Sequence, residues 1–202
     1  MSIDKIISQY KTEAELLDTF LTLIEDADII SGWNSEGFDI PYIVNRITKT
    51  LSKHDTRRLC LWNQYPKRRE YEKYGKEAVT YDLVGRVHLD SLELYRKYTY
   101  EERHSYRLDA IAEYELGERK TAYEGTLDQL YNRDFETFIQ YSRQDVALLN
   151  KLDKKLRFLD LANEIAHDNT VLLQTTMGAV AVTEQAIINE AHRRGLVVPN
   201  RR

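Results

Sequence analysis

The chain has 202 residues, 42% of them hydrophobic and 31% charged, which is typical of a globular protein with one sizeable domain. Its formal net charge of −4 is unlike that of a uniformly basic nucleic-acid binder, although a local basic patch would be enough for binding. The single cysteine, Cys60, excludes an internal disulfide framework and favours a reducing compartment. No apolar run is long enough for a membrane span and the first residues contain no signal-peptide core, so we expect a cytoplasmic protein, in its own cell or in a host.

The first predicted helix covers residues 12–27, where apolar side chains recur with the helical period. Thr12 and Glu15 have the spacing of a capping box at its start. A short apolar run then begins at Ile29 and is suited to a buried strand, and residues 32–37 form a turn-rich break.

Pro41 suits the first position of the next helix, predicted over 41–51, and favours extended backbone at Ile40. Asp39 would then lie between the carboxyl end of a strand and the start of a helix, where open α/β sheets place their chemistry. An Asp at this position can also simply stabilise the helix N-terminus, and the spacing alone favours that interpretation.

A basic and aromatic segment covers residues 49–76. Positive charge combined with aromatic faces is what a surface for single-stranded nucleic acid requires. Acidic residues dilute the segment, so an ordinary solvated loop is an equally good interpretation. The basic and aromatic residues are Lys49, Lys53, Arg57, Arg58, Trp62, Tyr65, Lys67, Arg68, Arg69, Tyr71, Lys73, Tyr74 and Lys76.

Residues 65–74 and 79–84 flank Gly75 in a pattern compatible with a hairpin. A second core strand is predicted over 84–89 and a helix over 91–98. Asp90 stands between them and is a candidate metal ligand, but capping of the following helix is the favoured role.

Two further helices are predicted over 105–116, ended by Gly117, and over 134–159, with a loop and a short helix from Tyr123 between them. Tyr141 and Asp145 are four residues apart, so their side chains leave one face of the longer helix about a turn apart. The sequence after this helix is mostly helical in pattern.

The string around Asn34, Phe38 and Asp39, in the order Asn-x-x-x-Phe-Asp, resembles the second exonuclease motif of family B replicative DNA polymerases, in particular those of tailed phages. Tyr141-x-x-x-Asp145 follows at a distance typical of that family and resembles the tyrosine form of its third exonuclease motif. The run over 105–117 is similar to what the family carries between the two motifs. The resemblance covers nearly the whole chain.

The resemblance implies an α/β exonuclease fold of the ribonuclease-H-like type and a 3′-to-5′ proofreading activity. In this interpretation Asp39 and Asp145 are metal ligands, Tyr141 positions the attacking water, and Asn34 and Phe38 shape the pocket for the 3′ end of a single-stranded primer. The implied cofactor is Mg²⁺ or Mn²⁺, with two ions only in the complete site.

The family's exonuclease site uses four acids and begins with an Asp-x-Glu pair on an early strand, but no such pair precedes Asn34. Asp134 and Glu136 have this spacing, yet they open a helix, where capping is the expected role. We therefore expect an incomplete fold that lacks early strands, and an isolated chain that is inactive. Asp90, Glu93 and Glu136 stay open as alternatives that could complete a metal site.

Residues 1–160 are predicted to form the partial exonuclease domain, and residues 161–202 a helical segment leading toward the polymerase palm. The chain would be a fragment or a split subunit, with the rest of the polymerase in cis or as a second chain. An exposed sheet edge also favours a homo-oligomer. The alternative function is a non-catalytic module that keeps the fold and binds single-stranded DNA or serves assembly.

Overall fold

The structure is a computed structural model that describes residues 9–73, 75–118 and 125–199. The chain divides into two compact units: a sheet unit within Ser8–Tyr98 and Leu159–Arg202, and a helical unit within Thr99–Phe158. Tyr74 and the start of the loop predicted from Tyr123 lie outside the described residues. In the described part of the chain, no helix is both long and apolar enough to span a membrane.

The helices and strands follow one another in this order: α1 Glu13–Leu23, β1 Ile29–Gly32, α2 Asp39–Thr50, a 3-10 helix His54–Leu59, β2 Lys67–Lys73, β3 Lys76–Asp82, β4 Val87–Asp90, α3 Ser91–Tyr98, α4 Leu108–Leu116, α5 Leu127–Arg133, α6 Phe135–Leu156, α7 Phe158–Asn169, a second 3-10 helix Leu173–Met177, and α8 Ala179–Arg193.

The core of the sheet unit lies between α1, α2 and the segment that enters β4. Apolar side chains of α1 and α2 meet there at the helical period, and their removal from water is the main source of stability for this unit. The predicted cap of α1 is confirmed, because the Thr12 hydroxyl accepts a hydrogen bond from the Glu15 N–H. The buried core residues are Leu17, Leu21, Ile40, Val44, Ile47, Leu59, Cys60 and Leu83.

Two small sheets form in this unit. β1 and β4 pair in parallel from Ile29 opposite Val87 to Gly32 opposite Asp90, so both strands end at the same edge. β2 and β3 form the predicted antiparallel hairpin, and Gly75 takes the left-handed backbone that its turn requires, with a φ of 73°.

Two predictions around the first strand are corrected. Helix α2 begins at Asp39 rather than at Pro41, and Ile40 is helical, not extended. The Pro41 ring is tolerated in this first turn because its nitrogen would have no partner within the helix. Ile29 is 44% exposed, so β1 is not a buried strand; within the described residues β4 is its one pairing partner.

The strand before Asp90 begins at Val87, three residues later than the prediction of Val84, because the chain first turns at Gly85 with a φ of 80°. Helix α3 has the predicted bounds.

In the helical unit, α6 packs against α4 and α5. Gly117 ends α4 in the left-handed conformation, as predicted. The helix predicted over 134–159 is shorter: Arg157 adopts a φ of 54°, which ends α6 at Leu156, and α7 starts at Phe158. A left-handed arginine cannot be read from helical periodicity, since leucines continue at the same spacing on both sides of the break.

Candidate exonuclease site

The candidate site in the sheet unit is built on residues 33–38, here called the motif loop, which connects β1 to α2. Asp39 follows this loop as the first residue of α2 and is exposed to solvent. The free N–H groups of the first helical turn favour a negative charge at that position. The structure therefore places Asp39 just beyond the carboxyl end of a parallel strand, as the sequence predicted.

Asp90 holds the motif loop from the neighbouring strand. It is 5% exposed, and its Oδ1 accepts hydrogen bonds from the N–H groups of Asn34 and Leu92, each at 2.9 Å. Its Oδ2 accepts a third hydrogen bond from the Glu36 N–H at 3.0 Å. The bond to Leu92 caps α3, which agrees with the favoured capping role, and the other two fix the loop.

Further contacts attach the same loop to β4 and to the hairpin. The buried Ser35 hydroxyl lies 2.9 Å from His88 Nε2, and the Thr80 hydroxyl donates to the Glu36 carbonyl at 2.8 Å. The Arg69 guanidinium bridges the carboxylates of Glu36 and Asp82. Hydrogen bonds and ion pairs thus hold the motif loop to β4 and to both strands of the hairpin.

Burial is the largest influence on the pKa values of the ionisable side chains Asp39, His88 and Asp90 around the loop. Removal from water raises the pKa of Asp90, although its three N–H donors and the charge of His88 lower it. Partial shielding from water raises the pKa of Asp39, and the negative charge of Asp90 raises it further. Burial also lowers the pKa of His88, although the negative charges of the nearby acids raise it. A cation at Asp39 would relieve the repulsion between the two carboxylates.

Asn34 and Phe38 lie at opposite ends of the motif loop. Asn34 adopts a left-handed backbone with a φ of 60°, which asparagine tolerates better than most residues. A Cβ on Gly37 would approach Asn34 Oδ1 to 3.2 Å, so the small residue lets the loop close tightly. Phe38 is 61% exposed, and its ring stacks on that of Tyr42 in α2.

Tyr141 and Asp145 belong to the helical unit. Both lie on α6 and both are partly buried, whereas Ser142 and Arg143 between them are exposed. The predicted sharing of one helix face by Tyr141 and Asp145 agrees with this pattern. Their roles stay predictions that rest on the motif.

The three alternative acids have other partners or positions. Asp90 uses both oxygens on backbone N–H groups, and Glu93 pairs with Arg96 at 3.5 Å. Asp134 caps α6 by accepting from the Thr137 N–H, which places Glu136 in the exposed first turn of that helix.

Asp39 and Asp90 differ in how well their carboxylates suit a divalent metal ion. Asp39 suits a metal ligand because the residue is exposed to solvent and a cation there would relieve the repulsion from the Asp90 carboxylate. Asp90 does not suit one, since its lone pairs already accept three N–H groups. Among the described residues, no group of three or more His, Cys, Asp or Glu side chains is placed to hold a metal ion.

In the basic and aromatic segment, several cations are engaged with neighbouring residues. Arg58 pairs with Asp18, Arg68 with Glu70, and the Arg57 guanidinium lies 4.2 Å from the centre of the Tyr65 ring. These pairs reduce the positive charge that the segment offers to a phosphate backbone.

Sequence reasoning missed Ser35, Thr80 and His88 as supports of the site. His88 could have been noticed, because it stands two residues before Asp90 on a strand and so shares its face. Its partner Ser35 is 53 residues away in the chain, and no local pattern connects the two.

Comparison with known proteins identifies the family of this chain. Residues 2–111 match the family model described as DNA polymerase family B, exonuclease domain. The chain is 30% identical over 204 residues to the DNA-directed DNA polymerase of Escherichia phage RB69, covering 99% of this chain and 22% of that protein.

Two further relatives are also DNA polymerases. The chain is 26% identical over 200 residues to the DNA-directed DNA polymerase of Enterobacteria phage T4, covering 98% of this chain and 22% of that protein. It is 28% identical over 216 residues to the DNA polymerase delta catalytic subunit of Bos taurus, covering 96% of this chain and 18% of that protein. The chain spans about a fifth of the length of these relatives. It belongs to the exonuclease domain family of the family B DNA polymerases and is of the phage type.

Proposed function

We propose that this chain contributes part of a 3′-to-5′ proofreading exonuclease site that removes nucleotides from a single-stranded primer end during DNA replication. The observation that carries the proposal is the position of Asp39, a solvent-facing carboxylate at the start of α2, on a loop that Asp90 fixes from the adjacent strand. This is the residue of the second exonuclease motif, and the family match covers it.

Asp39 and Asp145 each supply one carboxylate toward Mg²⁺ or Mn²⁺ in this proposal. Bound metal ions activate a water molecule and stabilise the leaving oxygen of a phosphodiester. Tyr141 orients the water, and Asn34 and Phe38 hold the primer end. The proposal gives Asp90 no ligand role, because its oxygens hold backbone N–H groups.

The site is completed, in this proposal, by polypeptide that carries an Asp-x-Glu pair. Parallel sheets are normally larger and covered on both faces, and β1 has one pairing partner among the described residues. The ribonuclease-H-like fold would then gain its early strands at the free edge of β1, in cis or from a second chain. A second copy of this chain at that edge is the competing outcome.

Paired variants test these roles. In an enzyme reconstituted from this chain and the polypeptide that supplies the Asp-x-Glu pair and the polymerase motifs, we expect Asp39→Asn and Asp145→Asn to lower exonuclease activity by at least about 100-fold, because removal of an essential charged ligand costs several kcal/mol of transition-state stabilisation. Nucleotide addition should be unchanged.

Asp26→Asn and Asp128→Asn are matched controls in the same two units, since both acids are exposed and neither contacts the motif loop. They should leave both activities unchanged. Normal proofreading in Asp39→Asn or Asp145→Asn would contradict the proposal. Metal-independent binding of single strands without hydrolysis would favour the non-catalytic module instead.

A further inference from the structure

A pair of exposed aromatic rings stands beside Asp39. The rings of Phe38 and Tyr42 lie 5.8 Å apart between centroids and at 9° to each other, so they form an offset parallel stack. Phe38 is 61% exposed and Tyr42 is 54% exposed. The stack therefore presents flat apolar faces to solvent within the first turn of α2.

The spacing along α2 explains this arrangement. Phe38 is the residue that precedes the helix and Tyr42 follows four positions later, so both rings stand on one face of α2. Arg46 continues that face after another four residues and is held by an ion pair with Glu13. Two adjacent rings match a single strand of nucleic acid, because successive bases stack on aromatic side chains.

Trp62 is another exposed aromatic residue of the sheet unit, and its surroundings differ. Trp62 is 74% exposed, but no ring among the described residues stacks on it, and its ring covers Gly85 so closely that a Cβ there would lie 2.7 Å away. The contact with Gly85 therefore gives Trp62 a structural role. For Tyr42, more than half of the residue remains open to solvent beside the candidate site.

We propose that Tyr42 is a base-stacking residue of the site, which holds the nucleotide next to the one at Phe38 on single-stranded DNA. The inference rests on the proposed function for the identity of the strand. It adds a substrate contact that the two exonuclease motifs do not contain. Tyr42 contacts bases through its ring face, and the hydroxyl group is not required.

The test measures binding of the purified chain to a short single-stranded DNA that contains the fluorescent base 2-aminopurine. Binding is measured in EDTA and at low salt from the change in 2-aminopurine fluorescence. Stacking changes the emission of this base, and stacking on an aromatic side chain is worth about 1–3 kcal/mol per base. We expect Tyr42→Ala and Tyr42→Leu to weaken binding by about 5- to 150-fold, and Tyr42→Phe to bind as the wild type does.

Trp62→Ala is the control for the basic and aromatic segment, and thermal unfolding checks that each variant folds. Loss of binding in Trp62→Ala with none in Tyr42→Ala overturns the inference and places the strand on that segment. Equal affinities of the wild type and Tyr42→Ala, or unchanged fluorescence with the wild type, also overturn it.

These results separate the inference from the proposed function, because binding in EDTA does not depend on a metal site. Weaker binding in Tyr42→Ala supports the stacking role even if Asp39→Asn keeps its exonuclease activity in the reconstituted enzyme. Unchanged binding in Tyr42→Ala, together with lost activity in Asp39→Asn, overturns the stacking role alone.

Discussion

At the scale of single residues, the shape of the motif loop depends on Asp90. Its buried carboxylate accepts three backbone N–H groups, two from the loop and one from α3. Burial raises its pKa, which shows that the charge is held at a cost to the protein. Its hydrogen bonds offset part of that cost, and two of them fix the loop that leads to Asp39.

Asp90→Ala should lower the free energy of unfolding of the sheet unit by about 2–4 kcal/mol, because three N–H donors lose their acceptor. Asp90→Asn should lower the free energy of unfolding by less. Its side-chain carbonyl oxygen can still accept hydrogen bonds from the Asn34 and Leu92 N–H groups, whereas its NH₂ group cannot accept one from the Glu36 N–H. Urea unfolding followed by tryptophan fluorescence measures both, since the chain's two tryptophans, Trp33 and Trp62, lie in this unit.

Asp18→Ala is the matched control for an exposed acid, because Asp18 makes a surface ion pair with Arg58. Such pairs contribute less than about 1 kcal/mol. Equal losses in Asp18→Ala and Asp90→Ala would contradict the supporting role of Asp90.

Residues whose role is local were predictable from the sequence. Thr12 and Asp134 cap the helices that follow them, because a cap and its N–H partner are only three residues apart. Asp90 was predictable as a cap of α3 for the same reason. Its bonds to the motif loop were not, since they join positions more than 50 residues apart.

At the scale of elements, the turn before β4 depends on Gly85. Its φ is 80°, and an added Cβ would lie 2.7 Å from the Trp62 ring and 2.8 Å from Leu61 Cβ. Gly75 in the hairpin has a similar φ of 73°, but no atom of the described residues lies within 4 Å of the added atom. The two glycines therefore separate backbone strain from steric overlap.

Gly75→Ala should lower the free energy of unfolding by about 1 kcal/mol, from backbone strain alone. Gly85→Ala should lower it by about 2–4 kcal/mol and shift the fluorescence of Trp62, because the ring must also move. Urea unfolding compares the two variants directly. A loss in Gly85→Ala no larger than that in Gly75→Ala would show that the Trp62 contact does not restrict the turn.

Helices and strands were predictable where the hydrophobic periodicity and the residue that ends the element agree. Helix α3 and the hairpin follow from periodicity and Gly75, while the break at Arg157 and the early start of α2 do not. Those two boundaries depend on a left-handed arginine and on a loop carbonyl, Ser35 O, that accepts the Ile40 N–H at 2.9 Å. Propensity contains no information on either.

At the scale of the whole molecule, the chain corresponds to about a fifth of its phage relatives and carries the second and third exonuclease motifs on two different compact units. The two motif strings were enough to predict the family from the sequence alone, because the residues of each motif are close together in the chain. The division into a partial exonuclease domain over 1–160 and a helical segment over 161–202 stays a prediction. None of the apolar side chains on α8 is buried against the described part of the chain.

The most direct test is Mg²⁺-dependent digestion of a 5′-labelled single strand by the purified chain, alone and mixed with a polypeptide that carries the Asp-x-Glu pair. We expect no shortening by the chain alone, shortening from the 3′ end in the mixture, and loss of that activity when the chain carries Asp39→Ala. Digestion by the chain alone that Asp39→Ala abolishes would show that another acid of this chain completes the site. Digestion in the mixture that survives Asp39→Ala would contradict the assignment of Asp39 as a metal ligand.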